Sequence, residues 1–144
     1  MKNKSILLVL LISVSVAFSC NSTTSQVQAE STGIQEGIIT KNVSAAEFQE
    51  LIKSKTKAII LDVRTANEVA QGFIMDAQQI DFYDNNFQAK LNKLDKNNPV
   101  LIYCRSGRRS GIAMSTMRSL GFSEVYNLQG GILEWSEAGL KLVK

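Results

Sequence analysis

The sequence has no histidine and only two cysteines, Cys20 and Cys104, in 144 residues. Without an imidazole there is no Ser-His-Asp or Cys-His catalytic pair and no His-ligated metal site. Two cysteines this far apart cannot supply the paired Cys-x-x-Cys ligands of a zinc site. One proline and nine glycines are too few for a low-complexity or fibrous chain. The excess of one charge sign is small too: the net charge is +3. Lys2 and Lys4 supply two of those charges, so the chain after Ser19 has 14 basic and 13 acidic residues, or +1. A nucleic-acid partner therefore has no global electrostatic footprint. The length suits one domain rather than two.

The notable basic feature is local: three arginines fall within five positions after Cys104. The apolar run Pro99-Val100-Leu101-Ile102-Tyr103 leads into Cys104-Arg105-Ser106-Gly107-Arg108-Arg109-Ser110, and a helix-like segment starts at Ser110. A thiol between a strand end and a helix start faces backbone N–H groups and the positive end of a helix dipole. Those are the conditions that favour a thiolate and hold an anion beside it. Residues Arg105 to Ser110 can curl with their amides inward as an anion-binding nest, and Gly107 permits the positive φ that such a turn needs. Cys104 is thus the candidate nucleophile. Arg105, Ser106, Gly107, Arg108, Arg109 and Ser110 are the candidate anion-binding residues, with Arg109 or Arg105 touching substrate and at least one arginine left as solvated rim. With no histidine, activation has to come from dipoles, amides and arginine charge. The thiolate could attack a sulfur atom, carry it as a persulfide stabilised by the ring of donors, and yield it to a second nucleophile without any cofactor or metal. A phosphatase needs arginine at Cys-x5-Arg to clamp a phosphate. Here that position is Ser110, and Arg109 makes a tighter Cys-x4-Arg loop better matched to one outer sulfur.

The N-terminus reads as an address. Lys2 and Lys4 precede an apolar stretch from Ile6 to Phe18 that is too short to span a membrane comfortably, so residues 1–19 are expected to be a removed signal peptide. Ala17 and Ser19 precede Cys20 in a pattern that resembles a bacterial lipoprotein signal, in which the cysteine becomes lipid-modified; an ordinary signal peptidase cut after Ser19 is the alternative. The expected location is the bacterial cell envelope, facing the periplasm, with a membrane attachment through lipid on Cys20. Residues 20–36, rich in Ser, Thr, Asn and Gln, read as a flexible tether.

The folded domain is expected over 37–144. Ile38-Ile39 suggests a first strand. Ser44-Ala45-Ala46-Glu47 and Thr65-Ala66-Asn67-Glu68 are capping boxes that open helices. The runs Ala58–Val63 and Val100–Tyr103 read as strands buried on both faces. Gln78–Asp81 and Val125–Leu128 read as further strands. Phe87, Leu91 and Leu94 mark a helix, as do Ser110–Leu120 with Gly121 as its cap, and a short last helix follows Gly130-Gly131 through Trp135. Alternating strands and helices predict an α/β domain with a mainly parallel sheet, where ligands bind beyond the carboxyl ends of the strands. Cys104 stands at such an end. Asp62, Arg64 and Glu68 are expected to form a structural ion-pair network, and Phe73 and Trp135 to pack in the core.

Three blocks, in order, resemble the rhodanese-like sulfurtransferases. Cys104–Ser110 resembles the family's active-site loop. Leu61-Asp62-Val63-Arg64 with Glu68, Gly72-Phe73-Ile74 and Ala77 resembles its first motif, and Leu128-Gln129-Gly130-Gly131-Ile132 with Trp135 its C-terminal motif. The likeness covers 37–144. It implies a central five-stranded parallel sheet flanked by helices. It also implies transfer of sulfane sulfur from an anionic donor such as thiosulfate to cyanide or a thiol, with Cys104 as the persulfide-forming nucleophile and Arg109 at the loop's last basic position. A persulfide carrier serving a partner protein's thiol is the alternative activity. Two positions depart from the pattern: Phe73 stands where the family often has His, and Met75-Asp76 where it often has Pro-Gly.

Overall fold

The computed structural model describes residues 37–144; the expected signal segment, the tether and Cys20 lie outside the described residues. Five strands, Ile39–Val43 (β1), Ile59–Asp62 (β2), Gln78–Gln79 (β3), Val100–Tyr103 (β4) and Glu124–Leu128 (β5), form one sheet in the order β1-β5-β4-β2-β3. Every pairing in it is parallel. The two runs expected to be buried on both faces are β2 and β4, and they pair at the centre, Leu61 opposite Ile102 and Asp62 opposite Tyr103.

The helices are Ala45–Ser54 (α1), Ala66–Val69 (α2), Phe87–Leu91 (α3), Arg108–Ser119 (α4) and Gly131–Glu137 (α5). Both capping boxes form. The Ser44 hydroxyl accepts from the Glu47 amide while the Glu47 carboxylate accepts from the Ser44 amide, and Thr65 and Glu68 repeat the exchange at α2. One helix differs from expectation: α4 begins at Arg108, not Ser110. Gly107 takes a left-handed conformation (φ +81°) at its N-cap, so the chain turns into helix two residues early. Arg108 and Arg109 therefore ride on the first helical turn rather than on a free loop.

Alternation along β4 decides which way the thiol points. Leu101 and Tyr103 face the layer of α1 and α5, packing with Phe48, Ile132 and Trp135. Val100, Ile102 and Cys104 face the layer of α3 and α4, packing with Leu91, Ala113, Met117 and Phe122. After β2 the chain crosses outward to β3; after β4 it crosses the other way to β5. The carboxyl ends of β2 and β4 thus flank a topological switch point, where a parallel sheet opens a crevice.

Candidate active site

Cys104 lies at the foot of that crevice with 1% of its surface exposed. Its sulfur does not meet hydrocarbon alone. The Ser110 hydroxyl lies 3.4 Å from Sγ. Burial pushes the thiol up, but hydrogen bonds from the Ser110 hydroxyl and from the amides of Ser110, Ser106 and Arg109 outweigh it, and the thiol lies below its ordinary value. The loop's amides turn inward because its carbonyls are held from outside. The Cys104 carbonyl accepts from the Ile132 amide at 2.9 Å, and the Arg105 carbonyl from the Leu133 amide at 3.2 Å. Gly107's carbonyl accepts from the Gly111 amide (2.9 Å), the Ser110 hydroxyl (3.1 Å) and the Asn127 side-chain amide (3.3 Å).

That clamp leaves no room for side chains at two glycines. A Cβ on Gly107 would fall 1.7 Å from the Gln129 carbonyl oxygen, and one on Gly131 would fall 2.5 Å from the Cys104 carbonyl oxygen. The Gly130-Gly131 turn thus serves as the backing of the loop. Asn127 is 3% exposed; its amide also donates to Asn42 (2.8 Å), and its Oδ1 has no partner.

The arginines divide. Arg105 and Arg108 are exposed, and neither forms an ion pair among the described residues. Arg109 is not rim: it retains 15% exposure and forms a two-pronged pair with Glu68, at 2.8 and 2.6 Å. Its guanidinium also lies 5.5 Å above the Tyr83 ring. The Arg109 hydrogen bonds, aided by those from Thr65, pull the Glu68 carboxyl down to about 2 against the opposing effect of burial. Arg109 is raised in return.

The expected Asp62–Arg64–Glu68 network is therefore split. Arg64 forms a buried pair with Asp62 at 2.6 Å and donates to the carbonyls of Glu68 (3.2 Å) and Gly72 (2.9 Å), so it is structural as expected. Glu68's carboxylate goes elsewhere, across the switch point to the first turn of α4. Sequence reasoning placed Glu68 as a helix cap and missed its partner 41 residues on. Only the β2–β4 adjacency brings them together. Trp135 packs in the core as expected, whereas Phe73 is half-buried and bridges Val143 through its backbone.

A cleft of about 570 Å³ opens above the loop. Phe82, Tyr83 and Ile112 give it apolar walls; Arg105, Arg108 and the Arg109–Glu68 pair give it polar ones. A second hollow of about 540 Å³ between β1 and α1 is lined by Ile39, Val43, Leu51 and Tyr126, with Lys41, Glu47, Glu50 and Ser54 among its polar residues, and includes no cysteine.

A parallel α/β sheet with a cysteine-headed ring of amides at its switch point defines a class of thiol-dependent anion-handling domains. A model of the rhodanese-like domain matches residues 44–138, and the chain belongs to that family. It is 33% identical over 101 residues to a protein of Allochromatium vinosum named sulfurtransferase, spanning 70% of this chain and 92% of that one. A crystal structure of a rhodanese-related protein from Thermoplasma volcanium superposes with a TM-score of 0.63 at 29% identity, covering 72% of this chain and 97% of that one. One of a rhodanese-like domain protein from Staphylococcus aureus gives 0.61 at 28%, covering 72% and 99%.

Proposed function

We propose that this protein is a sulfurtransferase that moves sulfane sulfur through a persulfide on Cys104. The observation that carries the reading is the inward ring of amides from Ser106, Arg109 and Ser110 around a thiol held below its ordinary value. With thiosulfate as donor, the thiolate attacks the sulfane sulfur, the S–S bond to sulfite breaks, and sulfite leaves with the electron pair. The new Cys104–S–S⁻ carries one negative charge where the amides converge. Cyanide or a thiolate then attacks the outer sulfur, the Cys104–S bond to it breaks, and the thiolate returns. No step needs an imidazole, because every attacking and leaving group is an anion. A phosphatase is disfavoured on geometry: the Cys-x5-Arg position holds Ser110, whose hydroxyl has a single proton to share between Sγ and the Gly107 carbonyl, and Arg109 is already paired with a carboxylate.

The N-terminal signal belongs to the same proposal: the protein acts in the bacterial cell envelope, held by lipid on Cys20. Incubating reduced protein with thiosulfate should raise its intact mass by one sulfur atom, and cyanide or a dithiol should reverse the gain. Failure of every sulfane donor to load Cys104 would end the reading. Fast loading from a partner protein with slow turnover on small donors would replace it by the carrier reading. Cys20→Ala should release the protein from the membrane fraction; unchanged membrane attachment would remove lipidation from the proposal.

A further inference from the structure

Asn127 fits its place in the sheet poorly. Asparagine is disfavoured inside strands, yet Asn127 is buried in β5, between Asn42 of β1 and Ile102 of β4 in the sheet register. Its Oδ1 has no partner among the described residues, and a buried orphan acceptor costs stability. Val125, two residues earlier on the same face, is apolar and packs in that layer. An amide kept at such a position serves something other than core packing.

Its two amide protons are both committed. Nδ2 donates to Asn42 Oδ1 at 2.8 Å and to the Gly107 carbonyl at 3.3 Å. Turning the carboxamide over would set Oδ1 against those two acceptors, so its orientation is fixed. The Gly107 carbonyl is also one of two acceptors for the Ser110 hydroxyl, the other being Cys104 Sγ. A hydroxyl has a single proton to give. In the neutral thiol that proton can rest on the carbonyl. When the sulfur becomes an anion, it draws the proton to itself, and the carbonyl must release it. The carbonyl then keeps two donors, the Gly111 amide at 2.9 Å and Asn127. With Asn127 absent it would hold the Ser110 proton more strongly, at the expense of the sulfur.

We propose, resting on the thiolate chemistry given above, that Asn127 is a positioning residue: by bonding the Gly107 carbonyl it releases the Ser110 hydroxyl to donate to the Cys104 thiolate. Asn42, on the neighbouring strand, holds the carboxamide in its working orientation. No proton changes owner in this exchange; one hydrogen bond of Ser110 is redirected. The charge of Arg109 also acts on the sulfur, but Glu68 holds that side chain, and Asn127 takes no part in the pair.

A double-mutant cycle read by thiolate absorbance, with Cys104→Ser as blank, separates this role from packing. Asn127→Val and Ser110→Ala should each raise the thiol titration by about half a pH unit. The double variant should rise no further than Ser110→Ala alone, because without the hydroxyl there is no proton to release. Loading from thiosulfate at neutral pH should slow about threefold in Asn127→Val, following the loss of thiolate. Shifts that add in the double variant, or no shift in Asn127→Val, overturn the proposal, since a packing effect does not depend on Ser110. Asn42→Ala, on the exposed edge strand, should move the titration the same way by less. It stands in for Asn127→Val if that variant does not fold, and its own cycle with Ser110→Ala is read by the same rule. If the cycle comes out as expected and no sulfane donor loads wild-type Cys104, the role of Asn127 stands and the sulfurtransferase reading falls.

Discussion

Replacing Glu68 by glutamine should make the protein less stable and its thiol more acidic at once. The carboxyl lies near 2 in the fold, against about 4.3 for a free glutamate. That gap corresponds to at most about 3 kcal/mol at neutral pH. The two side chains keep 26% and 15% of their surface in solvent, and screening reduces the contribution to about 1–2 kcal/mol. A carboxyl depressed by folding stabilises above its unfolded value and loses that contribution as pH falls toward its folded one. The difference in urea stability between wild type and Glu68→Gln should therefore be full above about pH 5 and roughly halved by about pH 3. Meanwhile Arg109, whose charge also interacts with Cys104, becomes unpaired and favours the thiolate. Thiolate absorbance, with Cys104→Ser as blank, should titrate several tenths of a pH unit lower in the variant. A stability difference that does not change with pH, or a thiol titration moved upward, would refute the claim that Glu68 acts on Cys104 through Arg109.

Four other substitutions probe the rest of the site. Cys104→Ser should fold with a stability within about 1 kcal/mol of wild type and show no mass gain with any sulfane donor. Gly107→Ala combines a left-handed φ with an impossible approach to the Gln129 carbonyl; it should cost about 3 kcal/mol in urea unfolding and raise the thiol, and a loss under about 1 kcal/mol would contradict the packing described. Asn127→Val removes a buried acceptor that has no partner, but also the donor to Asn42 and to the Gly107 carbonyl, so stability should change by no more than about 1 kcal/mol. Its persulfide loading should slow several-fold as the Gly107 carbonyl loses a donor; unchanged loading would make Asn127 purely structural. Asp76→Gly should add about 0.5 kcal/mol by thermal unfolding, because Asp76 sits at φ +63°.

Asp76 shows how a departure from a sequence pattern can be absorbed. The Met75-Asp76 pair stands where the family often has Pro-Gly, yet the backbone still turns left-handed at the second position. Aspartate tolerates that conformation better than most residues, so the turn survives at modest strain. The capping boxes at Ser44 and Thr65 and the apolar runs of β2 and β4 were legible for a different reason: each depends on neighbours within a few residues. The start of α4 differs from expectation by two residues because Gly107 takes the left-handed conformation at the N-cap, packed so closely against Gln129, 22 residues on, that no side chain fits there, and sequence proximity does not reveal that contact.

Local order along the chain was enough to specify an alternating α/β domain, a cysteine at the carboxyl end of a buried strand, and a loop rich in arginine and amide donors. These follow from hydrophobic period, capping chemistry and the position of one thiol. Which arginine keeps a usable charge was decided only in three dimensions. Strand order sets α2 beside the first turn of α4, and Coulomb attraction in that half-buried crevice commits Arg109 to Glu68. Arg105 and Arg108 stay in solvent at the cleft's mouth, beside the apolar wall of Tyr83 and Ile112.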